Sequence, residues 1–246
     1  MAGIFSTTRV KFIKGIIEFS ERHVFERRLQ LYNRLLAGPP TTVIDVGANN
    51  GQTIEFFLRM APNCTVLAFE PNKKLYDHLC ATYKANPNIH LYDLGVSDSK
   101  GERTFNEDLL DYTSTFEDLN MDSATCKEIE GVGRGITDIV TARYTVHTTM
   151  ADHISEHVQG TIDVIKIDVE GHEFACLQGL FNSGRAFPIR YLQLENHNDD
   201  MYANKTSFAD IDALLKANGF TLVATVKHGF GDLDELIYGN TKYPTN

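Results

Sequence analysis

The 246-residue sequence lacks the features of a membrane-spanning or secreted protein. No apolar run approaches the roughly 18 to 20 residues that a membrane-spanning helix needs. The N-terminus also lacks a basic segment followed by an apolar core and a small-residue cleavage site. We therefore expect no transmembrane segment and a cytoplasmic location.

Cysteine is scarce, and its spacing carries no motif. The chain has four cysteines, and none of them forms a Cys-x-x-Cys pair. Neither a zinc site of that type nor a redox motif is indicated. We expect reduced thiols that are mostly buried as small apolar side chains.

An excess of positive charge is also absent, since the formal net charge is −10. This balance argues against a large duplex-binding surface, and we expect no nucleic-acid partner. Residues 1–40 are the exception, with seven Lys or Arg against three Glu.

The basic N-terminal segment is predicted to be a helical arm. Apolar residues recur at helical spacing over residues 9–37, and Gly38-Pro39-Pro40 ends the pattern. We assign residues 1–40 to this arm and residues 41–246 to the main domain. The favoured interpretation is packing on the domain or on a second subunit, which would give a homodimer. The alternative is a helix that lies on a membrane surface.

From Thr41 onward, short apolar strands alternate with amphipathic helices. This alternation predicts a doubly wound α/β fold, with a mostly parallel sheet and helices on both faces. The predicted strands cover residues 43–46, 65–69, 89–96, 162–167, 189–194, 220–226 and 236–238, the last two as a hairpin.

Residues 98–160 interrupt the alternation. They contain two predicted strands, residues 101–105 and 136–146, and no clean strand-helix unit. Long insertions in compact domains are usually functional or mobile. We expect this insertion to cover the ligand site.

The first strand leads into a glycine-bearing turn with the sequence VIDVGANNG. Gly47 permits a sharp turn, and Gly51 permits close approach of the following helix to the strand. The turn places a helix N-terminus beside a ligand. Asp45 adds a carboxylate that would suit the ammonium group of a ligand.

Glu70 ends the second strand, 19 residues after Gly51. An acidic residue at this distance is placed to bind ribose hydroxyls. NAD-binding turns have the pattern Gly-x-Gly-x-x-Gly, whereas Asn49 stands at the middle glycine position here. The turn therefore favours S-adenosylmethionine, which has no pyrophosphate. An NAD-dependent oxidoreductase and a non-catalytic interaction module on the same fold are the alternatives.

Ionisable residues crowd the ends of two later strands. Asp168, Glu170, His172 and Glu173 follow the strand at residues 162–167, and Glu195 ends the next strand. Ligands of open α/β sheets bind at the carboxyl ends of the strands. The density of acids there favours a functional site.

At these residues the chain resembles the FkbM family of S-adenosylmethionine-dependent methyltransferases. The stretch IKIDVEGHE is the most specific part of the resemblance. The arm before residue 40 is not covered, and the loop at 106–135 matches weakly. The matching segments are VIDVGANNGQT (43–53), VLAFEPNKKLYDHL (66–79), the LGVSD segment (94–101), IKIDVEGHEFACLQG (165–179) and, more loosely, LQLENH (192–197).

The resemblance implies a Rossmann-like class I methyltransferase sheet of seven strands, with the last strand antiparallel. It implies methyl transfer to a hydroxyl group, so that the acceptor is a glycan or another small hydroxylated molecule. It also implies site residues: Gly47, Ala48, Asn49, Asn50 and Gly51 along the methionine part of the cofactor, Glu70 at the ribose, Pro71, Asn72, Gly95, Val96 and Ser97 around the adenine, Asp168 near the methyl group, and Ser114 and Thr115 toward the cofactor or acceptor.

A hydroxyl group is a poor nucleophile, so a base or a metal should assist. His172 is the preferred base because its ordinary pKa is about 6.5, and Asp168 or Glu170 could orient or replace it. The metal alternative resembles catechol-type O-methyltransferases, with magnesium held by Asp168, Glu195 and Asn196. The favoured interpretation is that Glu195 and Asn196 instead hydrogen-bond acceptor hydroxyls.

Overall fold

The computed structural model describes residues 25–108, 114–124, 126–127, 140–148, 151–158, 160–197, 201–203, 206–227 and 233–243. Strands and helices alternate along most of this length, as the apolar periodicity predicts. The elements are α1 (25–35), β1 (Thr42–Val46), α2 (Gln52–Met60), β2 (Thr65–Phe69), α3 (Lys73–Tyr83), β3 (Ile89–Tyr92), β4 (Gly101–Asp108), β5 (Val140–Thr148), α4 (Ala151–His157), β6 (Ile162–Ile167), α5 (Glu173–Phe181), β7 (Ile189–His197), α6 (Phe208–Ala217), β8 (Phe220–Lys227) and β9 (Leu233–Asn240).

Seven strands form one sheet in the order β3-β2-β1-β6-β7-β9-β8. Strand β9 is antiparallel to both of its neighbours, and the other pairs are parallel. Strands β4 and β5 form a separate antiparallel pair. This topology confirms the predicted doubly wound fold and the terminal hairpin.

The central strands are buried on both faces, which explains their continuous apolar sequence. All six residues of β6 are buried. Side chains alternate between the two faces of a strand, so Ile165 and Val164 enter separate core clusters on opposite sides of the sheet. On the Val164 face, Lys166 lies between Asp45 of β1 and Gln193 of β7 in the strand register.

Two strand boundaries differ from the prediction. Strand β3 ends at Tyr92, not at Val96. Val96 is apolar because it packs in the core beside α5, where the Cys176 thiol donates to its carbonyl oxygen at 3.0 Å. Strand β7 extends to His197 because it pairs with β9 as far as that residue. Glu195 therefore lies within the strand rather than at its end.

The second predicted strand of the insertion is present among the described residues as β5. Strand β5 starts at Val140, and residues 136–139 of the predicted strand lie outside the described residues. The pairing of β4 with β5 runs from Gly101 opposite Thr148 to Asp108 opposite Val140. The insertion thus contributes an antiparallel unit of its own beside the main sheet.

Helix α1 packs against the sheet of its own chain. The hydroxyl of the fully buried Tyr32 donates to Gln193 Oε1 at 2.6 Å, and the Tyr191 hydroxyl donates to the Leu35 carbonyl at 2.8 Å. Arg28 forms an ion pair with Glu235 at 2.8 Å. The rest of the predicted arm, residues 9–24, lies outside the described residues, and the homodimer stays a prediction.

The contact between α1 and the sheet predicts a stability effect. Replacing Tyr32 with phenylalanine leaves Gln193 Oε1 buried without this donor, which should lower the free energy of unfolding by about 1–3 kcal/mol. Urea denaturation measures the change. Tyr243→Phe, at an exposed tyrosine, is the control and should stay within about 0.5 kcal/mol of the wild type. An unchanged Tyr32→Phe protein would show that this hydrogen bond does not anchor the helix.

Within the described ranges, no helix is long and apolar enough to cross a membrane. The four cysteines are free thiols. Cys64, Cys126 and Cys176 are buried, and Cys80 is half-buried, as the spacing and composition predict.

Candidate functional site

The turn after β1 is pressed against the residue that follows β6. Gly47 has a φ of 81°, and a Cβ atom on it would lie 1.9 Å from the Asp168 carbonyl oxygen. The Asp168 amide donates to the Val46 carbonyl at 3.0 Å. Only glycine combines this left-handed backbone with so close an approach. The turn and Asp168 therefore share one edge of the sheet.

Glu70 is fixed at the end of β2 by two backbone amides. Its Oε2 accepts from the Asn49 amide at 2.7 Å, and its Oε1 accepts from the Asn72 amide at 2.8 Å. Burial raises the pKa of Glu70 to about 7, although both amides act in the opposite direction. Three residues that the sequence assigns to the cofactor thus meet at one place.

The groups around Glu70 fit an adenosine. Asn72 caps α3 through its Oδ1, which accepts from the amides of Lys74 and Leu75. Its Nδ2 is buried without a hydrogen-bond partner. An unused amide donor of Asn72 is therefore present near the carboxyl group of Glu70. Ribose hydroxyls and a heterocyclic nitrogen or oxygen would satisfy such a pair. Elsewhere along this edge, Ala48 and Gly51 are buried, Gly47, Asn49 and Pro71 are half-buried, and Asn50 is exposed.

Asp45 faces a cation that belongs to the protein itself. Its side chain is fully buried, and its Oδ1 lies 3.6 Å from the Lys166 ammonium. Burial raises the pKa of Asp45 to about 6 against the attraction of Lys166. The expectation that Asp45 meets the ammonium of a ligand is not supported, because the ammonium it faces belongs to the protein.

Asp168 is the most exposed carboxylate beside this turn. Its side chain is 30% exposed, and its Oδ2 lies 3.0 Å from Lys166 Nζ, which also donates to the Gly47 carbonyl at 3.2 Å. Burial alone would raise the pKa of Asp168, but the Lys166 charge, the hydrogen bonds from Lys166 and Glu195, and the His197 charge together outweigh it and lower the pKa to about 2. Asp168 is therefore ionised throughout the physiological range.

Asp168 belongs to a group of ionisable side chains, here called the acidic cluster, in which His197 and Tyr202 are buried and Asp168, Glu170 and Glu195 are half-buried. Glu195 is hydrogen-bonded to Asp168. His197 Nε2 lies 3.1 Å from Glu195 Oε2 and 3.4 Å from Glu170 Oε2, and the Tyr202 hydroxyl donates to Glu170. The cluster connects the ends of β6 and β7.

Packing within the acidic cluster shifts the pKa values of Glu195 and His197. Burial raises the pKa of Glu195 to about 7, and the neighbouring Asp168 charge adds to the effect. Burial would lower the pKa of His197, but the Glu195 and Glu170 carboxylates outweigh it and raise the pKa to about 10. His197 is therefore an imidazolium that neutralises the carboxylates around it.

His172, the base preferred from the sequence, is occupied by other partners. Its Nε2 lies 2.7 Å from Ser97 Oγ, and its Nδ1 lies 2.5 Å from Glu117 Oε1. His172 is buried, and both of its ring nitrogens contact other side chains of the protein. These contacts make His172 a link between the insertion and the residues that follow β6, and its role as the base stays a prediction.

The segment after β3 is also used within the protein. The Ser97 hydroxyl contacts His172, and Val96 lies in the core. A Cβ atom on Gly95 would lie 2.1 Å from the Phe116 ring. The side chains of this segment therefore offer little to the adenine, and any contact there would use the backbone.

The insertion reaches the acidic cluster directly. Thr115 Oγ1 donates to the Glu170 carbonyl at 2.7 Å, and the neighbouring Ser114 is half-buried. The amide of Asn120 donates to the Met201 carbonyl at 2.7 Å, just before Tyr202 of the cluster. This geometry brings Thr115, which the resemblance assigns to the site, next to Glu170.

Comparison with known proteins gives the family. Residues 45–222 match the family described as the methyltransferase FkbM domain. The chain belongs to the FkbM methyltransferase family. Together with the sheet order, this membership makes it an S-adenosylmethionine-dependent methyltransferase of Rossmann-like fold.

Three similar proteins illustrate the relationship. The chain is 30% identical over 233 residues to the 31-O-demethyl-FK506 methyltransferase FkbM of Streptomyces tacrolimicus, which covers 85% of this chain and 84% of that protein. It is 25% identical over 214 residues to the 2-O-methyltransferase NoeI of Sinorhizobium fredii, covering 85% and 83%. A SAM-dependent methyltransferase structure from Aquifex aeolicus has a TM-score of 0.48 at 13% identity, covering 93% of this chain and 97% of that chain.

In this FkbM-family methyltransferase, the residues proposed for magnesium do not form a site. Asn196 follows Glu195 within β7, and successive side chains of a strand point to opposite faces. Lys166 already supplies a positive charge 3.0 Å from Asp168. The donor set does not fit magnesium, and we derive no step through a metal.

Three side chains of the site were not identified from the sequence of this methyltransferase. Lys166 and His197 could have been found from the sequence. Lys166 lies two residues from Asp168 and His197 two residues from Glu195, and residues two apart along a strand share a face. Tyr202 had no such signal. Its contact with Glu170 joins residues 32 positions apart through loop geometry.

The raised pKa of Glu70 predicts how stability varies with pH. The folded pKa is about 7 and the ordinary value is 4.5, so the folded state binds the proton more tightly. The resulting stabilisation is present below pH 4.5 and is lost as the pH rises through 7. The wild type should lose about 2–3 kcal/mol more than Glu70→Gln between pH 4.5 and pH 8, measured by urea denaturation. Glu55→Gln, at an exposed glutamate, should follow the wild-type profile. If the stability of the wild type and of Glu70→Gln changed with pH in parallel, the raised pKa assigned to Glu70 would be contradicted.

Proposed function

We propose that this enzyme transfers a methyl group to the oxygen of a hydroxyl group on a sugar, a glycan or another small hydroxylated metabolite. The observation that carries the proposal is the partly exposed carboxylate of Asp168, held beside the Gly47 turn, paired with Lys166 and backed by the rest of the acidic cluster. The names of the two relatives from Streptomyces tacrolimicus and Sinorhizobium fredii specify O-methylation, which supports the same reaction.

Bound S-adenosylmethionine supplies a methyl group that its sulfonium already activates. Glu70 and Asn72 would hold the adenosine, and the Gly47–Gly51 turn would line the methionine part. Asp168 then lies on the side of the turn where an acceptor would enter, and the surrounding buried residues keep water from the reacting atoms. Positioning of this kind supplies a large part of the rate enhancement.

Asp168 has two tasks in the proposed reaction. Its carboxylate accepts a hydrogen bond from the acceptor hydroxyl and so orients a lone pair toward the methyl carbon. As the carbon–oxygen bond forms and the carbon–sulfur bond breaks, the oxygen becomes positive and its proton becomes strongly acidic. Even a carboxylate of low pKa can accept that proton in the transition state.

Lys166 and His197 balance the negative charge of the acidic cluster. Lys166 lies against both Asp45 and Asp168, and His197 lies against the Glu170 and Glu195 carboxylates. Two buried cations thus balance several buried acids, which would otherwise take up protons. Lys166 is the strongest of the influences that lower the pKa of Asp168.

The acceptor is proposed to be uncharged. The chain carries a net charge of −10, and buried acids surround the site. A polyphosphate or nucleic acid would be repelled. A sugar or hydroxylated metabolite is uncharged, so it is not repelled, and it offers several hydroxyls to the polar groups of the site.

The test is a screen of matched acceptors. The enzyme is incubated with S-adenosylmethionine and with glycosides, hydroxylated lactones, and amine or carboxylic acid analogues of the same skeletons. We expect S-adenosylhomocysteine release only with the hydroxylated members, and NMR should place the new methyl group on oxygen. Methylation of nitrogen, carbon or carboxylate in this panel would contradict the proposal, as would NAD-dependent oxidation of the alcohols.

A further inference from the structure

Helix α4 presents three metal-ligating side chains on one face, away from the residues assigned to methyl transfer. His153, Glu156 and His157 stand at positions i, i+3 and i+4, which lie on the same side of a helix. Their nitrogen and carboxylate oxygen atoms all lie within 4.8 Å of one another. The sequence pattern His-x-x-Glu-His thus becomes a compact group in the structure.

The distances within this group suit a small divalent ion. Glu156 Oε2 lies 3.6 Å from His153 Nδ1 and 3.9 Å from His157 Nε2. Ligands around a tetrahedral zinc ion at about 2.0–2.1 Å are separated by about 3.3 Å. Small rotations of the exposed Glu156 and His157 side chains are enough to reach that geometry.

A second observation points to a ligand. His153 Nδ1 is buried and has no hydrogen-bond partner in the structure. Buried polar atoms are almost always paired, so an orphaned imidazole nitrogen directed at a carboxylate and a second imidazole requires an explanation. A metal ion bound by this nitrogen would provide its missing partner.

Aromatic packing surrounds the two imidazoles of this group. The His153 ring lies 4.3 Å from the Tyr92 ring, and the His157 ring stacks on His90 at 5.1 Å, measured between centroids. Neutral imidazole is the ligand form, and aromatic packing restricts how the rings can turn away.

We propose that His153, Glu156 and His157 bind one zinc ion or a similar divalent transition metal, with water completing the coordination. Imidazole and carboxylate ligands suit zinc, and two histidines one helical turn apart are a common zinc-binding arrangement. The site lies beside the ends of β2 and β3, where the insertion returns to the sheet. The ion therefore stabilises the seven-residue helix α4, which is too short to be stable alone.

The test is a titration of tag-free protein, first stripped with a chelator, with cobalt(II) and zinc(II). Cobalt reports tetrahedral coordination by visible absorption, and zinc competition gives the affinity. We expect one cobalt ion per chain, displaced by zinc, and a rise in melting temperature on zinc binding. Loss of one outer partner of a metal site already costs about 10- to 100-fold in affinity. The double variant His153→Gln/His157→Gln should lose at least that much.

Two further variants make the result specific. Glu156→Gln changes an exposed side chain, so it should fold normally and still weaken binding at least about tenfold. His78→Gln, at an exposed histidine on α3, should bind as the wild type does. The proposal is overturned if the wild type shows no saturable tetrahedral cobalt spectrum, or if the double variant binds as tightly as the wild type. The latter result would place the ion elsewhere, for example at Glu170, Glu195 and His197.

Discussion

Replacing Asp168 with asparagine is expected to lower kcat by about 10²- to 10⁴-fold, the range that acid–base groups contribute to catalysis. The amide can still hydrogen-bond a hydroxyl, but it cannot accept its proton. It also removes the negative charge 3.0 Å from Lys166 Nζ, so the Lys166 charge is left to Asp45 alone. Affinity for S-adenosylmethionine should change less than tenfold, since Glu70 and Asn72 carry the proposed adenosine contacts.

The measurement is steady-state kinetics with an acceptor found in the screen, together with calorimetric binding of S-adenosylmethionine. Asp122→Asn, at a fully exposed aspartate, is the matched control and should leave kcat unchanged. A kcat for Asp168→Asn within a factor of ten of the wild type would remove Asp168 from the proposed mechanism. The catalytic contribution would then have to come from positioning alone.

Replacing Gly47 with alanine is expected to abolish detectable S-adenosylmethionine binding and to lower the free energy of unfolding by about 2–5 kcal/mol. The left-handed backbone costs about 1–2 kcal/mol with a side chain, and the added methyl group meets the Asp168 carbonyl, which is overpacking worth about 1–3 kcal/mol more. The two strand ends must move apart, and the turn moves with them.

Gly184→Ala separates the two causes of that loss. Gly184 also has a positive φ, of 71°, but a Cβ atom on it would meet nothing within 4 Å. Gly184→Ala should lose only the stability that a side chain costs in the left-handed backbone conformation. Its affinity for S-adenosylmethionine should be unchanged. Urea denaturation and calorimetry measure both properties. If Gly47→Ala were no worse than Gly184→Ala, the close approach to Asp168 would not be what the glycine is needed for.

The sequence pattern predicted the sheet well because alternation and apolar runs are local signals. Strand β6, with all its residues buried, was readable in this way. The end of β3 was not, because Val96 is apolar for a different reason. It fills the core from a loop, and only tertiary packing distinguishes that from a strand.

The site was predictable where residues follow strand ends and less so where loops meet. Glu70 and Asp168 come directly after parallel strands, and parallel strand ends share an edge. The role of His172 depended on Ser97 and Glu117, which lie 75 and 55 residues away. Local spacing gives no information about such partners, so the sequence alone suggested a free base.

Titration of the enzyme with S-adenosylmethionine and S-adenosylhomocysteine by calorimetry tests the central assignment most directly, with Glu70→Ala beside the wild type and Glu55→Ala as control. Saturable binding of both ligands is predicted, weakened at least about tenfold by Glu70→Ala because hydrogen bonds to a charged group are lost, and unchanged by Glu55→Ala. The assignment would be contradicted if neither ligand bound, if NAD bound in their place, or if Glu70→Ala bound as tightly as the wild type.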